Sequence, residues 1–314
     1  MRASYILPIK ASEASGASEL ATYLTGLDDL QVIVVDGSAP HIFEEHRKHL
    51  PSGCVHVPPA AEIFGTNGKT RGVLTGLRHA ACEKIIVADD DVRHDRESLE
   101  YLVAALDSND AVLPQNYFEP APWHAVLDTA RILLNRVTGG DWPGTIAFRK
   151  SRLPFGYNAD VLFENYEMVL TIARNGGRIL RADGCYVKRR PPTVRHYLDQ
   201  RIRQAYDEFA RPHRLTLQLA ILPLCLTLWA LRLRPLLAGA AALSIAAAEC
   251  GRRKYDGHRY FAALSALAAP LWLLERGICS WLAVYSRVRY GGIQYAGAMV
   301  EDAATRGTVA RGAA

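Results

Sequence analysis

The sequence lacks the cysteine patterns of zinc-binding and disulfide-rich proteins. Its 314 residues include six cysteines, with no C-x-x-C pair and no cysteine–histidine spacing typical of a metal site. We therefore expect the cysteines to be reduced and structural. The N-terminus also lacks the long apolar core of a secretory signal, and it carries only one charge before Tyr5.

A complete nucleoside-triphosphate loop is missing as well. Gly65–Thr70 reads G-T-N-G-K-T, which resembles the ATP-binding loop of Mur ligases and folylpolyglutamate synthases. A full loop needs glycine at the position of Ile63, and the preceding Val57–Glu62, with two prolines and a glutamate, does not make a central strand. The helix that follows could still bind an anion, with Lys69 as a point charge for phosphate.

The chain as a whole has no strong charge of one sign. Its formal net charge is +5, but Lys and Arg concentrate in Lys188–Arg214 and Arg252–Arg259, beside apolar segments. Basic residues next to apolar segments favour a cytoplasmic membrane surface over nucleic acid as a partner.

Before about Arg214 the sequence alternates between short β-branched runs and segments with helical spacing. This alternation predicts an α/β domain with a mainly parallel sheet. The predicted strands are Tyr5–Ile9, Gln31–Val35, Cys54–Val57, Ile85–Ala88, Ala111–Pro114 and Thr145–Phe148, and the predicted helices are Ser12–Leu27, His41–Leu50, Lys69–Cys82, Glu97–Leu106, Trp123–Val137, Val161–Asn175 and Tyr197–Ala210.

Three consecutive aspartates follow the apolar run Ile85–Ala88. Acidic side chains at the exit of a buried strand project into the crevice where open α/β sheets bind ligands. Asp89 and Asp91 would share a face of an extended strand, and both could offer oxygens to one hard cation such as Mg²⁺ or Mn²⁺. Asp90 should point the other way unless the chain has already turned. The alternative is a solvated acidic turn.

The C-terminal third is dominated by apolar residues. A helix needs about 20 apolar residues to cross a bilayer, so Leu215–Leu231 is of borderline length and Leu236–Ala248 is short. We therefore expect a tight or tilted hairpin in the membrane; the alternative is a buried helical pair. Tyr260–Tyr285 contains Pro270 and two charges, which favours an interfacial helix. We expect domains at 1–212 and 213–290 and a flexible tail at 291–314.

Taken in order, these motifs resemble glycosyltransferase family 2, the inverting nucleotide-sugar transferases of the GT-A fold. The resemblance runs from about Tyr5 to Gln204. It implies a GT-A, Rossmann-like domain followed by C-terminal membrane-associated helices. The matching segments are Leu7-Pro8-Ile9, Val34-Val35-Asp36-Gly37-Ser38, Asn67-Gly68-Lys69 with Gly76-Leu77 and Ala80, Asp89-Asp90-Asp91 as the D-x-D site, Phe163–Met168 in place of E-D-x-E-L, and Gln200–Arg203 in place of Q-x-x-R.

The resemblance also implies roles for individual residues. Asp89 and Asp91 would bind the metal, and Glu164 would be the catalytic base, with Asp160 and Glu167 on its helical face if the helix extends that far. The alternative is that Glu164 has no catalytic role and is a negative charge favoured by the dipole at the N-terminus of its helix. The predicted substrate-binding residues are Asp36, which would contact the nucleotide base, Lys69, Asp90, Asp141, Gln200, and Arg201 and Arg203, which would clamp the diphosphate or, alternatively, touch anionic lipid.

Two positions depart from the family pattern. Asn165 replaces the aspartate that usually supplies the base, and Gln204 replaces the tryptophan of Q-x-x-R-W. These departures weaken the case for processive polymer synthesis.

We therefore expect a metal-dependent glycosyltransferase of the hexosyltransferase class at the cell membrane, facing the cytoplasm. Its partners would be a nucleotide-diphosphate sugar, a lipid or glycan acceptor and membrane lipids, but no nucleic acid. The alternatives are a catalytically degenerate binding protein and a nucleotidyltransferase.

Overall fold

The computed structural model describes residues 2–13, 16–295 and 297–305. The described chain forms two compact units. The first contains the residues up to Pro114 together with Trp142–Val187, and the second contains Gln115–Asp141 together with the chain from Lys188 onward. This grouping differs from the predicted boundary at residue 212, because Gln115–Asp141 and Lys188–Arg211 pack with the C-terminal helices.

One eight-stranded sheet runs through the first unit, in the order β3-β2-β1-β4-β7-β6-β8-β5. Strands β3, β2, β1 and β4 are parallel, whereas β7 pairs antiparallel with both β4 and β6. The strands are β1 Ser4–Ile9, β2 Gln31–Asp36, β3 Val55–Val57, β4 Lys84–Ala88, β5 Val92–Arg93, β6 Ala111–Phe118, β7 Thr145–Arg149 and β8 Ile179–Arg189.

Five helices of this unit connect the strands: α1 Ala17–Thr25, α2 Pro40–His49, α3 Gly68–His79, α4 Arg96–Ala105 and, after α5 of the second unit, α6 Glu164–Arg174. Successive residues of a strand point to opposite faces, so β1 contributes to two separate cores. Tyr5 and Leu7 belong to one cluster, and Ile6 belongs to the other with Val73 of α3.

Helix α3 packs unusually close to β1. A Cβ at Gly72 would lie 2.9 Å from the Cβ of Pro8, and a Cβ at Gly76 would collide with the side chain of Ile6. The helix begins after Asn67, whose side chain accepts hydrogen bonds from the backbone N–H groups of Lys69 and Thr70. The two glycines and this cap therefore determine where the N-terminus of α3, and with it Lys69, is placed.

The second unit is mostly helical. It contains α5 Trp123–Thr138, α7 Val194–Tyr206, α8 Pro212–Ala230, α9 Arg234–Arg253, α10 Ala263–Leu267, α11 Ala269–Tyr290 and an antiparallel hairpin of β9 Ile293–Tyr295 and β10 Ala298–Val300. Within the described chain, α8 is the one helix that is long and apolar enough to span a bilayer by length and composition.

Several expectations about the elements were wrong. Strand β8 was not predicted. Pro270 lies in the first turn of α11, directly after the break between α10 and α11, and proline is tolerated at that position of a helix. Ile293–Tyr295 and Ala298–Val300 form two antiparallel strands where we expected a flexible tail; residues 296 and 306–314 lie outside the described chain. Trp272 lies in the segment that we expected to be an interfacial helix, and its side chain is buried.

Candidate functional site

The aspartates after β4 occupy a turn. Strand β4 ends at Ala88, and the backbone N–H of Val92 donates to the carbonyl of Asp89 at 3.1 Å, which places Asp90 and Asp91 in the middle of the turn. The argument that Asp89 and Asp91 share a strand face is therefore wrong, because the chain has already turned. The backbone N–H of Asp89 also donates to the carbonyl of Gly144 at 2.7 Å, which ties the turn to the segment before β7.

The side chain of Lys69 joins two of the predicted site residues. Its Nζ lies 2.5 Å from Oδ1 of Asp89 and 2.7 Å from Oε1 of Glu164. The three side chains are only 11–18% exposed. Burial alone would lower the pKa of Lys69, but attraction to Asp89 and Glu164 outweighs it and raises the pKa above its usual value. The lysine is therefore charged at any physiological pH.

Hydrogen bonds donated by Asn67 fix the position of Lys69 relative to Glu164. The buried side chain of Asn67 donates to the carbonyl of Val161 at 2.9 Å, and its backbone N–H donates to the carbonyl of Ala159 at 2.9 Å. Asn67 thus caps α3 while binding the loop that leads into α6. Because Glu164 is the first residue of α6, the same loop positions its carboxylate.

Asn165, the departure from the family pattern, also faces this cluster. Its Nδ2 donates to the carbonyl of Pro143 at 3.0 Å, and its Oδ1 lies 3.5 Å from Nζ of Lys69. An aspartate could not donate to Pro143. The amide therefore fits its surroundings without acting as a base.

The other two predicted catalytic carboxylates are placed differently. Helix α6 begins at Glu164 rather than at Val161, so Asp160 does not share its helical face; the exposed Asp160 accepts a hydrogen bond from the backbone of Thr66 at 2.9 Å. Glu167 does lie in the first turn of α6, but it is buried and faces Arg174 at 3.8 Å. Among the three, Glu164 alone contacts Lys69.

Asp36 lies at the end of β2 in a polar cluster of its own. Its Oδ2 is 2.6 Å from Nδ1 of His46 and 3.1 Å from Nε2 of His56, and its Oδ1 accepts from the backbone of Ser38. Burial alone would raise the pKa of Asp36, but hydrogen bonds from His56, Ser38 and His46 outweigh it and hold the pKa well below its usual range. The sequence did not indicate either histidine.

The four remaining predicted residues belong to the second unit. Arg201 is buried: its guanidinium lies over the ring of Tyr197 at 4.0 Å, and Nη1 donates to Asp128 at 3.2 Å. Asp141 accepts a hydrogen bond from Arg131 at 2.5 Å.

Gln200 and Arg203 lie on the same helix, α7. Gln200 contacts His196, one turn earlier, and the guanidinium of Arg203 lies over the ring of Tyr295 at 5.1 Å. Asp128 and Arg131, which the sequence analysis missed, therefore hold Arg201 and Asp141 in place.

The surroundings of Asp89 fit a hard divalent cation. Its Oδ1 already receives one cation, the Lys69 ammonium. Its Oδ2 faces Gly144, where a Cβ would lie only 2.7 Å away, so the missing side chain leaves space beside this oxygen. Carboxylate oxygens are the ligands that Mg²⁺ and Mn²⁺ prefer. The described residues contain no group of three or more His, Cys, Asp or Glu side chains placed to hold a metal.

Comparison with known proteins gives a family match for part of the chain and a similar fold. Residues 18–153 match the family described as glycosyl transferase family 2. The chain is similar to the mannosyltransferase PcManGT from Pyrobaculum calidifontis in complex with GDP-Man and Mn²⁺, with a TM-score of 0.53 and 23% identity over 89% of this chain and 87% of that one. This likeness shows an α/β, GT-A-like fold.

Two further solved structures are more distant. Glucosyl-3-phosphoglycerate synthase from Mycobacterium tuberculosis has a TM-score of 0.43 and 19% identity over 62% of this chain and 72% of that one. Mannosyl-3-phosphoglycerate synthase from Rubrobacter xylanophilus has a TM-score of 0.45 and 14% identity over 65% and 71%. No curated protein matches the chain significantly.

Proposed function

We propose that this chain, whose residues 18–153 match glycosyl transferase family 2, is a glycosyltransferase that transfers one sugar from a nucleotide-diphosphate sugar to a hydroxyl acceptor with inversion. One observation carries this proposal. Asp89, from the D-x-D turn, and Glu164, from the first residue of α6, converge on a single cation, Lys69. A metal ligand, a base and a phosphate-binding group are the three parts that such a transfer needs.

The donor end of the site would be formed by Asp89, Asp91 and Lys69. A divalent cation, Mg²⁺ or Mn²⁺, bound by the two aspartates would neutralise charge that builds on the leaving diphosphate. The Lys69 ammonium would bind a phosphate oxygen as a point charge. PcManGT binds GDP-Man with Mn²⁺, so GDP-mannose is the first donor to test.

The acceptor end would be formed by Glu164. Its carboxylate would take the proton of the acceptor hydroxyl as that oxygen bonds to the anomeric carbon of the donor. The bond from this carbon to the diphosphate oxygen breaks, and the nucleoside diphosphate leaves with the electron pair. Attack from the side opposite the leaving group inverts the anomeric configuration.

The exposed apolar surface of the second unit supports our proposal that the protein attaches to a membrane, where a lipid acceptor would be at hand. Only 11% of the apolar window of α8 is buried, although a core helix of a soluble protein is mostly buried. Large apolar side chains of α8 are exposed, among them Leu217 and Trp229. So large an exposed apolar surface is typical of a membrane or protein interface. We propose that α8 and α9 form the membrane hairpin.

The direct test is turnover of donor sugars by the purified full-length chain in detergent. Release of nucleoside diphosphate from GDP-mannose, UDP-glucose and UDP-N-acetylglucosamine is measured with Mn²⁺, with Mg²⁺ and with EDTA. We expect EDTA to abolish turnover and added Mn²⁺ or Mg²⁺ to restore it. Donor binding without any turnover would instead support a degenerate binding protein.

Two aspartate variants test the metal assignment. Asp91→Asn should abolish metal-dependent turnover, because it removes a charged ligand. Asp90→Asn should be milder, because Asp90 is exposed in the middle of the turn. Full activity in EDTA, or a normal metal response of Asp91→Asn, contradicts the D-x-D assignment.

A further inference from the structure

We propose that Lys69 is a displaceable counter-ion, which occupies Asp89 and Glu164 until the diphosphate of the donor draws it away. The inference rests on the proposed function, since it assigns a state of the same site before the donor binds. It makes Lys69 a residue with two alternative sets of partners, carboxylates in the resting protein and phosphate in the loaded one.

The contacts of Lys69 define the resting state. One ammonium bonds two carboxylates at 2.5 and 2.7 Å, and the Oδ1 of Asn165 lies 3.5 Å away. The Lys69 side chain is 18% exposed, so few of its donor hydrogens face water. Both carboxylates therefore already carry a cation, although they belong to elements 75 residues apart, at positions 89 and 164.

This arrangement is incompatible with the working site. The ammonium takes the Oδ1 of Asp89, one of the oxygens from which a divalent cation would be bound, and two cations repel each other at contact distance. The same ammonium donates a hydrogen bond to Glu164. This bond occupies Oε1 of Glu164, so an acceptor hydroxyl would have to compete with the ammonium for that oxygen.

The donor diphosphate would provide the anion that draws the Lys69 ammonium away from Asp89 and Glu164. Lys69 is the second residue of α3, where the positive end of the helix dipole favours an anion. Its backbone is fixed by the Asn67 cap, whereas its four-carbon stem can swing. A phosphate group near this helix end would compete with Asp89 and Glu164 for the ammonium, and the freed carboxylates could then bind the metal and the acceptor proton.

Charge balance favours the exchange. One ammonium and two carboxylates carry a net charge of minus one. A divalent cation added alone would face the ammonium, whereas a cation added with a diphosphate brings the anion that the ammonium needs. Metal and donor should therefore strengthen each other's binding, and Lys69 should carry part of that coupling.

A purely structural role for Lys69, as a link between α3 and α6, predicts something different. Removing a structural ion pair would lower the melting temperature and leave metal affinity unchanged or weaker. Removing a displaceable counter-ion should raise the affinity of Asp89 for metal in the absence of donor. The direction of the change in metal affinity separates the two roles.

The experiment is a Mn²⁺ titration of the purified full-length chain in detergent, without donor, with free Mn²⁺ followed by electron paramagnetic resonance. Lys69→Met removes the charge, and Lys69→Gln removes it while keeping hydrogen-bond donors for both carboxylates. Lys84→Met is the matched control, because Lys84 is similarly enclosed, at 20% exposed, and pairs with Asp107 at 2.6 Å on another part of the unit.

We expect both Lys69 variants to bind Mn²⁺ at least about tenfold tighter than the wild type, a change of about 1.4 kcal/mol, and Lys84→Met to match the wild type. Addition of GDP or UDP should strengthen Mn²⁺ binding more in the wild type than in the Lys69 variants. Equal or weaker Mn²⁺ binding by both variants, with nucleotide-dependent Mn²⁺ binding intact, overturns the counter-ion role alone. Absence of Mn²⁺ binding in every protein, with and without nucleotide, overturns the metal site of the proposed function as well.

Discussion

Glu164 is the residue on which the proposed chemistry depends most directly. If it takes the acceptor proton, Glu164→Gln should lower kcat by about a hundredfold or more, because an amide cannot accept that proton. The KM for the donor should change little, since Glu164 acts on the acceptor. Steady-state kinetics with the donor that turns over fastest measures both constants.

An exposed glutamate of the same unit serves as the control for this substitution. Glu62→Gln should leave kcat and KM as in the wild type, because Glu62 pairs only with Arg78 at the surface. If Glu164→Gln retained near-normal turnover, the role of base would move to Asp160, Glu167 or Asp141.

His94 links the stability of the first unit to pH. It is buried, with Nε2 3.1 Å from Oγ1 of Thr145, and burial lowers its pKa from 6.5 to about 4. In the unfolded chain His94 is protonated below about pH 6.5, whereas in the folded chain it stays neutral down to about pH 4. The free energy of unfolding is therefore highest above pH 6.5 and falls by about 3 kcal/mol in total as the pH decreases towards 4.

We expect His94→Gln to remove most of this loss. The melting temperature of the wild type should fall further between pH 7 and 4.5 than that of the variant. His49→Gln, at an exposed histidine of α2, should keep the wild-type pH dependence. An unchanged pH dependence in His94→Gln would show that the pKa of His94 is the same in the folded and unfolded states.

At the scale of elements, the approach of α3 to β1 decides where Lys69 lies. Gly76→Ala should destabilise the protein by about 1–3 kcal/mol, because its Cβ would collide with Ile6. Gly68→Ala, at the start of the same helix, has no atom within 4 Å of the added Cβ and should be neutral or slightly stabilising. Thermal unfolding of the two variants makes the comparison. Similar melting temperatures would show that the helix can shift without cost.

Loops position the other residues of the candidate site. The turn of Asp89–Val92 and the segment before β7 are joined through the backbones of Asp89 and Gly144, and the loop before α6 is joined to α3 through Asn67. Three connections thus converge on Lys69, while the strands provide the frame.

At the scale of the whole molecule, the proposed membrane hairpin has a testable orientation. The segment 251–259 contains four Lys or Arg residues, whereas the connection of α8 to α9 contains Arg232 and is followed by Arg234. Because basic segments stay cytoplasmic, residues 251–259 should lie on the cytoplasmic side. A cysteine at Asp256 should then resist a membrane-impermeant thiol reagent in intact cells and react after lysis.

The control for this labelling is a cysteine at Leu231, which should react from outside in intact cells. Both variants need serine at Cys250, since that native cysteine is exposed and close to the tested segment. Efficient labelling of position 256 from outside would reject the orientation, and protection of both positions would indicate helices that do not cross the bilayer.

The sequence alone determined most of the strands and helices of this protein and predicted the residues of its candidate site. Short β-branched runs and helical spacing are local signals, so strands such as Gln31–Asp36 and helices such as Arg96–Ala105 were predicted within one or two residues. The D-x-D triplet and the glutamate of α6 are local motifs, and they predict the proposed chemistry without any tertiary information. The long strand Ile179–Arg189 was missed, because its polar and charged residues hide the strand period.

Only the tertiary structure decided which of these groups meet. Lys69 and Glu164 are separated by 95 residues, and Arg201 and Asp128 by 73. Neither pairing follows from local pattern, because the direction of a side chain after a strand or before a helix depends on turns and caps that distant residues stabilise. Such turns and caps place the aspartates after the end of the strand, Asn165 beside the carbonyl of Pro143, and Lys69 between the carboxylates of Asp89 and Glu164.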